Sequence, residues 1–157
     1  MSGASPVRPP ADAASRLVAH LLTRDAFSQW LGIEVLHADV GRSRVRCTVR
    51  PEMLNGFGIA HGGVLFSLAD SAFAFATNAG GTLSVALDCT VSFPAAVREG
   101  DVLEAEAIEE TTTNRFGFCR VTVTRGDDVV AHFRGTVYRT TTTHVPPDGT
   151  AFPPAPR

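Results

Sequence analysis

Between Met53 and Leu87 the chain carries one residue of type Asp, Glu, Lys or Arg, and it is Asp70. Residues 62–79 within this stretch, "GGVLFSLADSAFAFATNA", are small or apolar on every side of a helical wheel and close on Asn78, Gly80 and Gly81. A helix apolar nearly all round must be enclosed by something. Its length approaches that of a membrane span, but Asp70, Asn78 and the many small residues oppose a lipid environment. The rest of the chain must therefore supply the cover.

That cover reads as strands. From Ile33 to Arg50 the period is two: Val45, Cys47 and Val49 alternate with Arg44, Arg46, Thr48 and Arg50, and Gly41 supplies a turn between two strands. After the helix come four more strand candidates near residues 83–93, 101–110, 116–125 and 129–140. In the first, Leu83, Val85, Leu87, Cys89, Val91 and Phe93 are expected on one face, with Ser84, Asp88, Thr90 and Ser92 on the other. "NRFG" (114–117) and "RGDD" (125–128) read as hairpin turns. No helix separates these four strands, which excludes repeated βαβ units. The order predicts an α+β domain, an antiparallel sheet wrapped around one central helix. An additional N-terminal helix is expected over 13–31, on the spacing of Leu17, Leu21, Leu22 and Trp30 with Gly32 as its stop. A single domain over 12–141 is expected between two flexible tails, 1–11 and the Pro-rich 142–157.

A net charge of −2 provides no basic field for nucleic acid or an acidic membrane surface. The N-terminus lacks a secretory h-region. Cys47, Cys89 and Cys119 are odd in number, contain no CxxC, and read as free thiols of a cytoplasmic protein. No HxxxH or HxE pairing occurs, so neither a metal nor a resident cofactor is expected. "GFGIAH" (56–61) has His61 where a dinucleotide loop needs its third glycine, and "HGGV" (61–64) is not accompanied by GxSxG.

What remains is Asn55, His61, Gly62, Gly63 and Asp70, with Ser71 next to the aspartate. At a helix start, Gly62 and Gly63 are expected to leave unpaired N–H groups aided by the helix dipole, and the Gly62 N–H is the donor for a polarised carbonyl oxygen; the alternative is that the two glycines simply allow tight packing. Asp70 can activate water or attack directly; the alternative is a cap or a partner for a distant arginine. Asn55 can donate to the substrate oxygen or simply hold a turn. His61 can orient the carbonyl or Asn55, or bond to backbone. Ser71 can position water or the carboxylate, or bond back to its own helix. Phe57, Phe66, Phe73 and Phe75 flank this region, most of them expected in the core. Eight residues separate Gly62 from Asp70, about 12 Å along one helix, too far to serve one carbonyl. Two helices running antiparallel across a two-fold axis would bring Gly62 of one chain to Asp70 of the other, which predicts a homodimer with two shared active sites.

The stretch "NGFGIAHGGVLFSLADSAFAFATN", with "VSFPAAVREGDVLEAEA" (91–107) and "VVAHFRGTVYR" (129–139), resembles the hotdog-fold acyl-CoA thioesterases of the PaaI, phenylacetate-degradation type. The resemblance spans about Leu31 to Thr140, so the N-terminal helix and both tails are not constrained by it. It implies a hotdog fold, dimers with a continuous sheet, and homotetramers. It also implies Asp70 as the catalytic carboxylate, Gly62 as oxyanion donor, and supporting roles for Asn55, His61 and Ser71. The implied substrates are aryl- or arylacetyl-CoA thioesters, such as phenylacetyl-CoA and hydroxyphenylacetyl-CoA, with coenzyme A as part of the substrate. Arg115, at a turn where a cation reaches solvent, is the candidate for a coenzyme A phosphate; the alternative is an ordinary exposed turn arginine. A non-catalytic acyl-CoA-binding module and a hotdog hydratase or dehydratase are the competing functions.

Overall fold

The computed structural model describes residues 11–144. The expected N-terminal helix is two helices, α1 (Ala11–Arg24) and α2 (Ala26–Leu31). Asp25 makes the break: it leaves helical geometry at φ −99°, ψ 85°, and its side chain accepts the Ser28 N–H as the N-cap of α2. The new start changes the helical phase, so Trp30 is exposed whereas Leu31 is buried. Gly32 ends α2 in the left-handed region, φ +74°, with its N–H on the carbonyls of Gln29 and Ser28.

Strands β1 (Glu34–Asp39) and β2 (Arg42–Thr48) follow, then the loop 51–61, the central helix α3 (Gly62–Asn78), and β3 (Thr82–Ser92), β4 (Val102–Thr112), β5 (Phe116–Arg125) and β6 (Asp128–Thr143). All pairings are antiparallel and the order is β1-β2-β4-β5-β6-β3, so β1 and β3 are the edges. The β5–β6 hairpin turns on Gly126 and Asp127, with Arg125 opposite Asp128; a positive φ at Gly126 alone is the II′ pattern. Strand β6 enters the segment expected to be a tail, because Thr143 pairs with Thr82 and His144 donates its N–H to Gly81. The remainder of that segment and residues 1–10 lie outside the described residues.

Helix α3 lies on one face of this sheet, packed on all six of its strands. Leu68, Ala69, Ala72 and Phe73 are fully buried against residues such as Val45, Leu103 and Phe133. Close approach is built in at "FRG": a Cβ on Gly135 would stand 2.7 Å from the Phe73 ring, so only glycine lets that ring reach the strand. Ser43 Oγ donates to the Ala72 carbonyl at 2.6 Å and ties β2 to the helix. At the other end Asn78 clamps β3, its Oδ1 accepting the Ser84 N–H at 2.8 Å and its Nδ2 donating to the Ser84 carbonyl at 3.2 Å.

Strand β3 departs from the expected alternation. The register shifts between Ala86 and Asp88, and this bulge reverses the faces along the strand. Ser84 is buried, while Val85 and Leu87 are 41% and 58% exposed. The strand, paired on one side with β6, exposes these apolar side chains at the open edge of the sheet.

Candidate active site

The site begins in the loop before α3. Asn55 Oδ1 accepts the N–H groups of Phe57 (2.9 Å) and Ile59 (3.4 Å), an Asx turn that assigns the amide oxygen to the loop. Its Nδ2 therefore faces away from the loop, and has no acceptor among the described residues. His61 is the N-cap of α3, with Nδ1 accepting the Gly63 N–H at 2.9 Å, so of the two N–H groups expected to be unpaired that of Gly63 is taken by the cap. That bond keeps Nδ1 unprotonated and places the ring proton on Nε2. A Cβ on Gly63 would stand 3.0 Å from Nδ1, so Gly63 makes room for this cap. The N–H of Gly62 has no acceptor among the described residues, and it sits where the helix dipole adds positive charge. The Phe93 ring covers Gly62, 3.2 Å from where a Cβ would be.

Two cavities of about 350 Å³ flank this helix start. One contains Asn55, Gly62, Leu65 and Phe93, so both free donors share it. The other lies under α2 and contains Phe27, Trp30, His61, Gly63 and Ser67. Of the phenylalanines expected to flank the site, Phe73 and Phe75 belong to the core, Phe66 meets Phe133 edge to face with ring centroids 5.5 Å apart, and Phe57 is exposed on the loop. Phe27, Trp30 and Phe93 supply the aromatic surface beside the site instead.

Asp70 is half-buried, and no described residue gives its carboxylate a hydrogen bond or ion pair. Other acids are served differently: Glu106 meets Arg42 at 2.5 Å, Glu34 meets Arg46 at 2.6 Å, and Glu110 bonds both Arg120 and Arg134. Burial pushes the Asp70 pKa above the usual aspartate value, and the charge of Asp25 on α2 raises it further. On the other side is Cys89 of β3, whose thiol is pushed up to about 11 by burial, with the charges of Asp70 and Asp88 adding to it. Among the described residues, neither the distant arginine nor the loop cap considered for Asp70 is realised.

Ser71 is buried, and its Oγ lies 2.8 Å from Ser28 Oγ rather than on its own helix backbone. Asn55, His61 and Gly62 thus gather at the start of α3, while Asp70 and Ser71 lie about 12 Å along the same continuous helix. Arg115 is elsewhere, exposed between β4 and β5, with Nη1 on the Tyr138 hydroxyl at 2.9 Å; it lines neither cavity. Sequence reasoning did not reach Asp25, Ser28 or Phe93. The signal for the first two was present in "RDAFSQWLG", an N-cap aspartate with serine three residues on.

Residues 57–132 match the model of the thioesterase superfamily. The chain belongs to the thioesterase superfamily. It is 40% identical over 116 residues to the acyl-coenzyme A thioesterase PaaI of Escherichia coli, covering 73% of this chain and 83% of that protein. The solved structure of E. coli PaaI, from the phenylacetic acid degradation operon, superposes with a TM-score of 0.82 at 36% identity, over 85% of this chain and 97% of that one. A hypothetical thioesterase of Streptococcus pneumoniae, solved with coenzyme A, matches with a TM-score of 0.66 at 25% identity, over 69% of this chain and 88% of that one. The fold is the expected hotdog fold, and the protein is a hydrolase of thioester bonds, of the PaaI type.

Proposed function

We propose that the protein hydrolyses aryl- and arylacetyl-CoA thioesters, such as phenylacetyl-CoA and hydroxyphenylacetyl-CoA, to the free acid and coenzyme A, in the degradation of phenylacetate and related aromatic acids. The observation that carries this reading is the separation of two unsatisfied halves on one helix: free donors on Gly62 and Asn55 at its start, and an unpaired carboxylate two turns on. A second copy completes each half. Strand β3 is an open edge with Val85 and Leu87 exposed, and Asp70 lies beside it. Pairing two such edges about a two-fold axis sets the α3 helices antiparallel and turns Asp70 of one copy toward Gly62 of the other. On the sheet, Phe116 and Phe118 are exposed near Tyr138, and this aromatic patch supports association of dimers into a homotetramer.

The thioester oxygen then rests on the Gly62 N–H and Asn55 Nδ2, which stabilise the negative charge that develops as the carbonyl is attacked. Asp70 of the other copy takes a proton from water as the new C–O bond forms, and returns it to the thiolate sulfur as the C–S bond breaks. A carboxylate with a raised pKa is the stronger base, which suits this role. His61 acts by holding the helix start in place. Cavities near 350 Å³ beside Phe93 and Trp30 suit a single ring better than a long chain. Arg115, with its guanidinium in solvent, is the proposed contact for a coenzyme A phosphate. Cysteines without disulfides support a reducing, cytoplasmic setting.

Thiol release from a panel of acyl-CoAs tests the reading. Phenylacetyl-CoA should exceed palmitoyl-CoA in kcat/KM, and clear preference for palmitoyl-CoA overturns the substrate assignment. Saturable binding without turnover would identify a binding module, and water addition to enoyl-CoA without thiol release a hydratase.

A further inference from the structure

A chain of three side chains runs from α2 into α3 beside Asp70. Asp25 Oδ1 accepts the Ser28 N–H at 2.9 Å, and Oδ2 accepts the Ser28 hydroxyl at 2.5 Å. Ser28 Oγ in turn lies 2.8 Å from Ser71 Oγ, both residues being buried. The direction of this chain is determined by proton counting. A carboxylate has no proton to give, so the single Ser28 proton points at Asp25. The Ser71 hydroxyl must then donate to Ser28. A helical serine commonly spends its proton on its own backbone, as Thr77 does on the Phe73 carbonyl at 2.9 Å; Ser71 is diverted from that bond.

We propose that Asp25 and Ser28 are positioning residues for thioester hydrolysis: they commit the Ser71 proton inward, so that Ser71 meets a water on Asp70 only as an acceptor. This rests on the reading of Asp70 as the general base. A water with one proton toward Asp70 and the other toward Ser71 Oγ has its lone pair free for the thioester carbon. That lone pair forms the C–O bond, the first proton passes to Asp70, and the same proton leaves on the sulfur when the C–S bond breaks. The ionisable groups found around Asp70 are Asp25 from α2 and Cys89 from β3, with no cation among the described residues, so nothing there draws the base's proton away.

Asp25→Asn is the discriminating change. Asparagine keeps the shape and the N-cap, but its amide donates where Oδ2 accepted. Ser28 must then donate to Ser71, and the Ser71 proton turns toward Asp70. Plateau kcat should fall roughly tenfold with KM unchanged, the scale of a misplaced reactant. The acid limb of the profile should move to lower pH. Ser28→Ala should lower kcat similarly, and in a Ser71→Ala background neither change should lower it further. Carboxyl 13C NMR follows Asp70 directly, assigned with Asp70→Asn, and its titration should move to lower pH in Asp25→Asn whether or not a substrate is turned over. Asp25→Asn with normal kcat and an unmoved Asp70 titration, whatever its Tm, overturns the proposal. So does an equal further loss in the Ser71→Ala background. If Asp70→Asn itself retains turnover, the general-base reading fails instead.

Discussion

The shared site is tested most sharply at Gly62. Gly62→Pro deletes the proposed oxyanion N–H, and the backbone admits the ring: Gly62 is the first residue of α3, where proline is tolerated, and its φ is not positive. His61 before it, at φ −61° and ψ 136°, already has the extended geometry that a residue preceding proline needs. The added Cβ meets the Phe93 ring at 3.2 Å, but that side chain is 49% exposed and can swing aside. Gly62→Ala makes the same contact and keeps the N–H, so the difference between the two variants isolates the donor. Losing one such donor costs about 10²–10³ in kcat, against a less than roughly tenfold loss expected for alanine. Gly62→Pro and Asp70→Ala homodimers should both be nearly inactive. Equal co-expression with two affinity tags makes about half the dimers mixed, each with one site that joins an intact Gly62 to an intact Asp70. Activity should return to roughly a quarter of wild type, and to about half in the doubly purified heterodimer. Folded heterodimers that remain inactive would refute the shared site.

Three further outcomes follow from the same geometry. Asp70→Asn should lower turnover at least ~100-fold, the scale of lost acid–base participation, with phenylacetyl-CoA hydrolysis as the assay. The raised pKa of Asp70 also gives a stability signature: the folded chain holds this proton after the unfolded chain has released it, so stability is lost as pH rises through the ordinary aspartate value and stays lost at neutrality. Asp70→Asn should therefore raise Tm near pH 7, with the gain fading below about pH 3, and a lower Tm at pH 7 would contradict the sign. Gly135→Ala should destabilise by about 1–3 kcal/mol, read by denaturant or thermal unfolding, because its Cβ would stand 2.7 Å from the buried Phe73 ring and 3.0 Å from Phe133.

The enclosed helix and the sheet around it were legible because periodicity reports burial directly: a segment apolar on all sides has one kind of place to go. Asp70 was legible for the same reason, as the exception in that segment. Reading failed where one residue resets a pattern. Asp25 restarts the helix and turns Trp30 outward, a break that the apolar spacing of Leu17, Leu21 and Leu22 does not show and that only the N-cap pattern of Asp25 and Ser28 signals. The bulge near Leu87 reverses strand faces without any glycine or proline to announce it. The hydroxyl chain was out of reach for another reason, since Ser28 and Ser71 are 43 residues apart and meet only when α2 packs on α3. Local sequence encodes periods and caps; it does not encode which cap will end beside which helix.

What marks the site physically is the withholding of compensation. The chain has arginines to spare for carboxylates, and spends them on exposed pairs such as Arg42–Glu106 and Arg46–Glu34, which contribute little to stability. One such arginine beside Asp70 would relieve its burial, but it would also lower the pKa and weaken the base. The surroundings instead supply Asp25 and a protonated Cys89, both of which leave the carboxylate basic. At the start of α3, two turns before Asp70, the same logic holds in reverse sign. His61 satisfies the Gly63 N–H and leaves that of Gly62, the proposed oxyanion donor, open. Each omission leaves a polar group of the single chain uncompensated, and in the proposed reaction each is answered by a substrate oxygen or an attacking water. Local rules broken at the start and at the middle of one helix, with packing otherwise satisfied around them, are what the proposed catalytic role requires and a purely structural helix would have no reason to keep.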